Sequence, residues 1–243
     1  MSNHEVVIKG EIHSSKGDHK HERDLIIQGT DWLVLEGSRE DPEYSLLQQW
    51  YAFAILLTTY LFFRPLYTDT SELEDLVEAQ GGEVLKTRES DLSILENSHI
   101  LARIGAALLF LVLFFGAALA AISSSHFAGV LLLIASVMLP LLLLRIHEST
   151  RSNGSRDEQM AELITEAAEQ GGRVVVVIGE RHADSVCSHL PDWVDPIRED
   201  PVYPMFSLSH AKDIAYPLFV TLSVLWVFYS LFAAYAEAAW TLS

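Results

Sequence analysis

Three stretches of the chain, residues 104–122, 127–144 and 215–236, carry no charged side chain. Each has at least 18 residues, enough for a helix to cross a hydrocarbon layer roughly 30 Å thick. They predict three membrane spans, the first two forming a hairpin through a polar hinge at residues 123–126. Outside the spans the pattern changes. Short β-branched or apolar runs at residues 6–8 and 32–35 flank a polar-then-apolar stretch at 16–27, which reads as a β-α-β unit. Acidic amphipathic stretches at 73–80 and 160–170 each end in a glycine pair, Gly81-Gly82 and Gly171-Gly172. Strand-like runs follow at 83–85 and 174–178. Glycine after a helix accepts the left-handed turn that stops it. The run at 174–178 is apolar throughout, as a strand covered on both faces is. The pattern therefore predicts a soluble α/β sheet domain, interrupted by a transmembrane helical hairpin and followed by a C-terminal transmembrane helix.

The expected boundaries are 1–100 for the first part of the α/β domain and 101–146 for the hairpin. The second part follows at 147–213 and the last span at 214–237. A short flexible link is expected at 151–154. The four prolines of 191–204 suggest an extended connector. Residues 45–64 stand apart. They are uncharged as far as Phe63, but the strongly apolar part covers only 14 residues, 50–63, a length suited to an interfacial, amphipathic or re-entrant helix ending at Arg64 and Pro65. If this segment does not cross, all 16 Lys and Arg residues lie on one side of the membrane. That places the soluble domain in the cytoplasm of a multi-pass cell-membrane protein, with the C-terminus outside.

Charge narrows the function classes. Asp and Glu total 33 and the formal net charge is −17, which argues against nucleic acid as a partner, since phosphate binding needs clustered Lys and Arg. The acidic excess is halophile-like. A lone Cys187 excludes an internal disulfide or a thiolate metal cluster. No apolar leader-like segment opens the sequence, so no signal peptide is expected.

The chemistry gathers around two copies of Gly-x-x-His. Gly10-Glu11-Ile12-His13 follows the first predicted strand and Gly179-Glu180-Arg181-His182 the last. Ligands of α/β sheets bind beyond the carboxyl ends of strands. His13, His182 and Glu36, which closes the second strand, are all expected there, and two imidazoles with a carboxylate suit Zn, Mn, Co or a similar divalent ion. The bland alternative makes one His a chance surface residue; two copies at strand ends weigh against it. The polar cluster of His19, Lys20, His21 and Glu22 reads first as a solvated loop and second as a source of extra ligands. Cys187, Ser185 and His189 lack the surroundings that make a thiolate reactive.

These motifs, in this order, resemble the TraB/PrgY group, related to the Tiki proteases. The resemblance rests on Gly10 to His13 with Ser14-Ser15 following, and on Leu35-Glu36-Gly37-Ser38-Arg39. Arg88-Glu89-Ser90-Asp91, Arg156-Asp157-Glu158-Gln159-Met160-Ala161 and Gly179 to His182 complete it. It covers nearly all the sequence outside the spans. It implies a membrane-anchored, metal-dependent peptidase, with His13, His182 and Glu36 at the metal and Glu36 as ligand or general base. Arg39, Arg88 and Arg156 are candidate catalytic residues that bind a substrate carboxylate or stabilise an oxyanion, although pairing with structural carboxylates is an equal alternative. Glu180 and Arg181 depart from the small residues usual before the second motif's His. The expected partners are a peptide or protein substrate and membrane lipid, with a homo-oligomer left open. The rival class is a non-catalytic membrane regulator that binds a peptide or other ligand.

Overall fold

The computed structural model describes residues 4–38, 44–66, 70–88 and 92–242, and within these omits a few side chains, among them those of residues 38, 88 and 148–156. The chain divides into two compact units. One comprises Met1–Asp41, Tyr67–Asp91 and Ser152–Ile214, the other Pro42–Leu66, Leu92–Arg151 and Ala215–Ser243.

Among the described residues, the first unit holds a five-stranded parallel sheet. Strand β1 (His4–Glu11) leads into helix α1 (Lys16–Ile27) and strand β2 (Trp32–Ser38). In the second unit follow α2 (Gln49–Thr58), a wider helical turn at Thr59–Phe63 and the short α3 (Arg64–Leu66). The chain returns to the sheet unit with α4 (Ser71–Ala79) and β3 (Glu83–Arg88). Helices α5 (Leu92–Glu96) and α6 (Ile100–Ile122) precede the 45-residue α7 (His126–Gln170). Strand β4 (Gly172–Gly179), α8 (Glu180–His189), β5 (Ile197–Glu199) and α9 (Leu208–Thr241) complete the order.

The strands lie in the order β3-β2-β4-β1-β5, with every neighbouring pair parallel. The predicted β-α-β unit therefore joins strands that are not neighbours, because β4 inserts between β1 and β2. Its Val174–Ile178 core is wholly buried, which explains why the run carries no polar alternation. On one face Val6, Ile8, Val34, Val174, Val176 and Ile178 pack against Ile164 and Ala168 of α7 and Val186 of α8. On the other, Leu33, Leu35, Val175 and Val177 meet Ile26 of α1 and Leu73 and Val77 of α4. Helices thus cover both faces, and the period-2 alternation of the strands sorts side chains between them. Both predicted glycine stops are present: Gly81 and Gly171 have φ of 80° and 84°.

Among the described residues, three helices are long and apolar enough to cross a membrane: Ile100–Ile122, His126–His147 and Leu208–Thr241. They mark the chain as membrane-associated. Ser124, with φ 56°, turns the hinge between the first two. Within the same unit, Trp50 of α2 lies tilted against Phe110 and Phe53 meets it edge to face, at centroid distances of 5.7 and 6.2 Å. Ala54, Phe110 and Val137 share a small core.

Three expectations need correction. Residues 151–154 are not a loop, since α7 continues through them from the second span to Gln170. The segment around α2 is not amphipathic, because Phe53, Leu56 and Tyr60 are exposed while Tyr51 and Ala54 are buried, so it is apolar all round. It also continues into α3 through Arg64 and Pro65 rather than ending there. The proline-rich connector, in addition, supplies β5, which pairs with β1 at the sheet edge.

Candidate functional site at the carboxyl edge of the sheet

Strand β4 lies between β1 and β2, so its last residue, Gly179, stands at the middle of the carboxyl edge. Its register partner in β1 is Glu11. The two Gly-x-x-His motifs are consequently one residue out of step, because Gly10 pairs with Ile178, and they are not equivalent in local structure. His13 lies in the turn between β1 and α1, whereas His182 lies in the first turn of α8. Both rings nonetheless reach Gly179. A Cβ placed on Gly179 would lie 3.5 Å from His13 Nε2, 3.5 Å from Glu36 Oε2 and 3.7 Å from His182 Cδ2. The Gly179 N–H also donates to Glu36 Oε2 across 3.4 Å. The tertiary fold therefore brings together the three residues singled out as metal ligands, from three different strand ends.

The β1–α1 turn is held by a buried ion pair. Lys9 and Asp18 have fully buried side chains 2.9 Å apart. Lys9 Nζ also donates to the Gly10 and Asp200 carbonyls. Asp18 accepts from the Ile12 and Val202 backbone N–H groups, while Ser15 caps α1 by accepting from Asp18 N–H. A buried charge that is paired and fully hydrogen-bonded fixes local geometry, and here it fixes the turn that carries His13.

Each histidine is oriented by a carboxylate. His13 Nδ1 is 2.8 Å from Glu11 Oε1 and His182 Nδ1 is 2.9 Å from Asp157 Oδ1. Such His–carboxylate pairs set the tautomer and raise the basicity of the other ring nitrogen, as around metal-binding imidazoles. Burial opposes the charge of His13, but the bond to Glu11 and the fields of Glu11, Glu36 and Glu22 outweigh it and raise its pKa above the ordinary imidazole value. Neither Glu11 nor Asp157 was singled out from the sequence. Glu11 carried a faint signal, being two residues before His13 at the end of a strand. Asp157 carried none beyond adjacency to Arg156.

In kind, two imidazoles and a carboxylate are residues that suit a divalent ion; their positions fall short of that. Among the described residues, no three His, Cys, Asp or Glu side chains are yet gathered closely enough to hold one. Arg181 bears on this directly: its Nε donates to His182 Nε2 across 3.2 Å, the nitrogen an ion would use. Glu180 turns away to pair with Arg198 at 2.8 Å, over Gly10, where a side chain would collide with both. Arg39 lies outside the described residues, and the side chains of Arg88 and Arg156 are not described; the backbone places Arg88 at the end of β3 and Arg156 on α7. His189 is exposed and bonds the Ser185 carbonyl. Cys187 has its thiol pKa pushed up by burial, which disfavours the nucleophilic thiolate.

The chain matches no protein-family model, and neither the curated proteins nor the solved structures contain a match to it.

Proposed function

We propose that this chain is a membrane-anchored, metal-dependent hydrolase, a peptidase of the kind its TraB/Tiki resemblance implies. The observation that supports it most is the convergence of His13 Nε2, Glu36 Oε2 and the His182 ring on Gly179. His13, His182 and Glu36 would hold the ion, which when bound supplies the Lewis acidity that makes water a nucleophile near neutral pH. Glu11 and Asp157 hold the two imidazoles in place through Nδ1. Glu36, partly exposed, would serve either as a ligand or as the general base that takes a proton from the attacking water. Gly179, having no side chain, lets all three groups approach one point of the backbone. Arg39, Arg88 and Arg156 are proposed to bind a substrate carboxylate or the developing oxyanion.

The sheet supports a topology for the anchor. Strands β2 and β3 are hydrogen-bonded neighbours, so the chain between them returns to the side it left. The apolar helix there, Leu46–Phe62, has length for one crossing at most, and so makes none. Helices α6 and α7 then cross as a pair and α9 crosses once, with the sheet domain cytoplasmic because every Lys and Arg precedes the final crossing on that side. Cysteine labelling at Ser2, Ser155 and Ser243 tests this. The first two positions should react from one face and the third from the other; labelling of the first two from opposite faces overturns it.

The activity is tested with purified full-length protein in detergent, assayed on a peptide library after loading with Mn²⁺, Co²⁺ or Zn²⁺. Hydrolysis that is lost in His13→Ala, His182→Ala and Glu36→Gln supports the proposal. A second reading, a non-catalytic regulator that binds peptide at the same edge, is favoured by one observation, the Arg181 bond to His182 Nε2. Peptide binding without cleavage, unchanged by metal and weakened in Arg181→Ala, would establish that reading instead.

A further inference from the structure

The loop between β5 and α9 turns large apolar side chains outward. Val202, Tyr203, Met205, Phe206 and Leu208 are all exposed, Phe206 at 98%. A single exposed apolar residue is ordinary. Five within seven consecutive positions form a patch of the kind that marks an interaction surface. No charged residue interrupts it, the nearest being Asp200 and Lys212.

The exposure is built into the backbone. The Ser207 N–H donates to the Pro204 carbonyl across 3.0 Å, closing a turn with Met205 and Phe206 at its two central positions. Ser207 then caps α9, its hydroxyl oxygen accepting from the His210 N–H across 3.1 Å. An apolar residue just before such a cap often folds back onto the first helical turn. Phe206 does not. The base of the loop, meanwhile, is fixed to the β1–α1 turn. The Asp200 carbonyl accepts from Lys9 Nζ, and the Val202 N–H donates to Asp18. Tyr203 lies over Gly17, where an added Cβ would strike its ring. On α9 itself, His210 Nε2 lies 3.4 Å from Ser14 Oγ, and Asp213 accepts from the Lys16 N–H. The apolar tip therefore stands on a fixed base, which lowers the ordering cost of binding.

What covers the tip follows from its tether. Helix α9 is long and apolar enough to cross a membrane, and its uncharged run begins at Ala215, seven residues after Leu208. Seven residues of helix rise about 10 Å, close to the head-group layer of about 5–8 Å on each side of a bilayer. A helix tilt of about 20–40°, within the ordinary range, lowers one flank of the loop into that layer. Every copy of the loop is held this near to lipid, whereas another protein would have to be recruited. We propose that Met205, Phe206 and Leu208 insert at the boundary of head groups and acyl chains. They form an interfacial anchor that holds the sheet unit, and its His13 turn, at the membrane surface. The flanking Glu199, Asp200, Lys212 and Asp213 carry no positive excess, so apolar burial drives the insertion and no anionic lipid is needed. The anchor rests on α9 crossing the bilayer and is independent of any hydrolysis at Gly179.

The test is the depth of nitroxide labels on the full chain, one copy per phosphatidylcholine nanodisc. With Cys187→Ser removing the native thiol, Met205→Cys, Phe206→Cys, Val224→Cys and Glu169→Cys are labelled one at a time. Collisions with oxygen, which concentrates in lipid, are compared with those of a water-soluble nickel chelate. Val224, exposed within the apolar run of α9, reports the crossing, and Glu169, exposed near the end of α7, reports water. Labels at Met205 and Phe206 should stay open to oxygen and lose chelate access, at a depth of about 5–10 Å. Chelate access at Phe206 equal to that at Glu169, with Val224 in lipid, overturns the anchor and leaves the crossing intact. A Val224 label open to chelate overturns both. Protection of Phe206 from both reagents shows a tip covered by protein and overturns lipid as its occupant.

Discussion

Asp157 Oδ1 lies 2.9 Å from His182 Nδ1, a bond between the long helix α7 and the first turn of α8 across 25 residues of sequence. Asp157 is nearly buried and His182 is partly exposed. The carboxylate therefore holds one nitrogen of the ring in the interior and turns the other towards the carboxyl edge of the sheet.

Asp157→Asn should keep the fold and lower metal affinity about tenfold to a hundredfold, because an amide holds the ring less strongly and can favour the other tautomer. Titration of the stripped protein with Zn²⁺ measures this. His189→Ala, in an exposed residue remote from Gly179, should leave affinity unchanged. Equal affinity in wild type and Asp157→Asn would mean that His182 is not a ligand.

Gly179→Ala separates folding from function. The added Cβ meets its nearest neighbours at 3.5–3.7 Å, ordinary contact distances, and φ at this position is −55°, so no backbone strain arises. Thermal stability should match wild type to within about 0.5 kcal/mol, since the change opens no cavity, makes no clash and strains no backbone. Peptide turnover or peptide affinity should nevertheless fall at least about tenfold, because the methyl group fills the point where His13, Glu36 and His182 converge. A variant with undiminished binding and turnover would show that the substrate does not approach over Gly179.

Breaking the Lys9–Asp18 pair should be strongly destabilising. Both side chains are fully buried, and removing one leaves the other charge without compensation, at a cost of about 3–5 kcal/mol. Asp18→Asn should therefore lower the unfolding midpoint sharply. Replacing both residues together, as Lys9→Met with Asp18→Leu, should recover part of the loss while disturbing the His13 turn. Chemical denaturation of the wild type and the two variants gives the comparison.

Glu22 makes the stability of metal-free protein depend on pH. Its pKa rises from 4.5 unfolded to about 7 folded, so the folded state binds the proton more tightly. The stabilisation is fully present below about pH 4.5 and is lost as pH rises through 7. His19, Glu11 and Asp18 act on it, and through its field it also acts on His13. In chelated protein Glu22→Gln should thus gain stability relative to wild type at about pH 8.5, by up to about 3 kcal/mol, and gain little at about pH 4.5. A Glu22→Gln midpoint that tracks wild type at every pH would remove the electrostatic account.

Much of the architecture was legible in the order of residues. The uncharged runs announce the three long helices, because burial in lipid admits no unpaired charge over that length. The glycine pairs Gly81-Gly82 and Gly171-Gly172 announce where helix gives way to strand, because few other residues accept a left-handed turn there. The positions of His13, Glu36 and His182 at strand ends followed from the same local patterns. Local pattern could not reveal the order of the strands. That β4 inserts between β1 and β2 is a long-range pairing, and it alone makes Gly179 the meeting point of the three side chains. Nor could it reveal the fates of the acidic residues. Asp18 is neutralised by Lys9, Glu11 and Asp157 hold imidazoles, and Glu22 is buried with His19 3.8 Å away, yet along the sequence all four belong to one acidic excess. Which carboxylate meets water, a cation or nothing depends on what packs over it, and only the tertiary structure decides that.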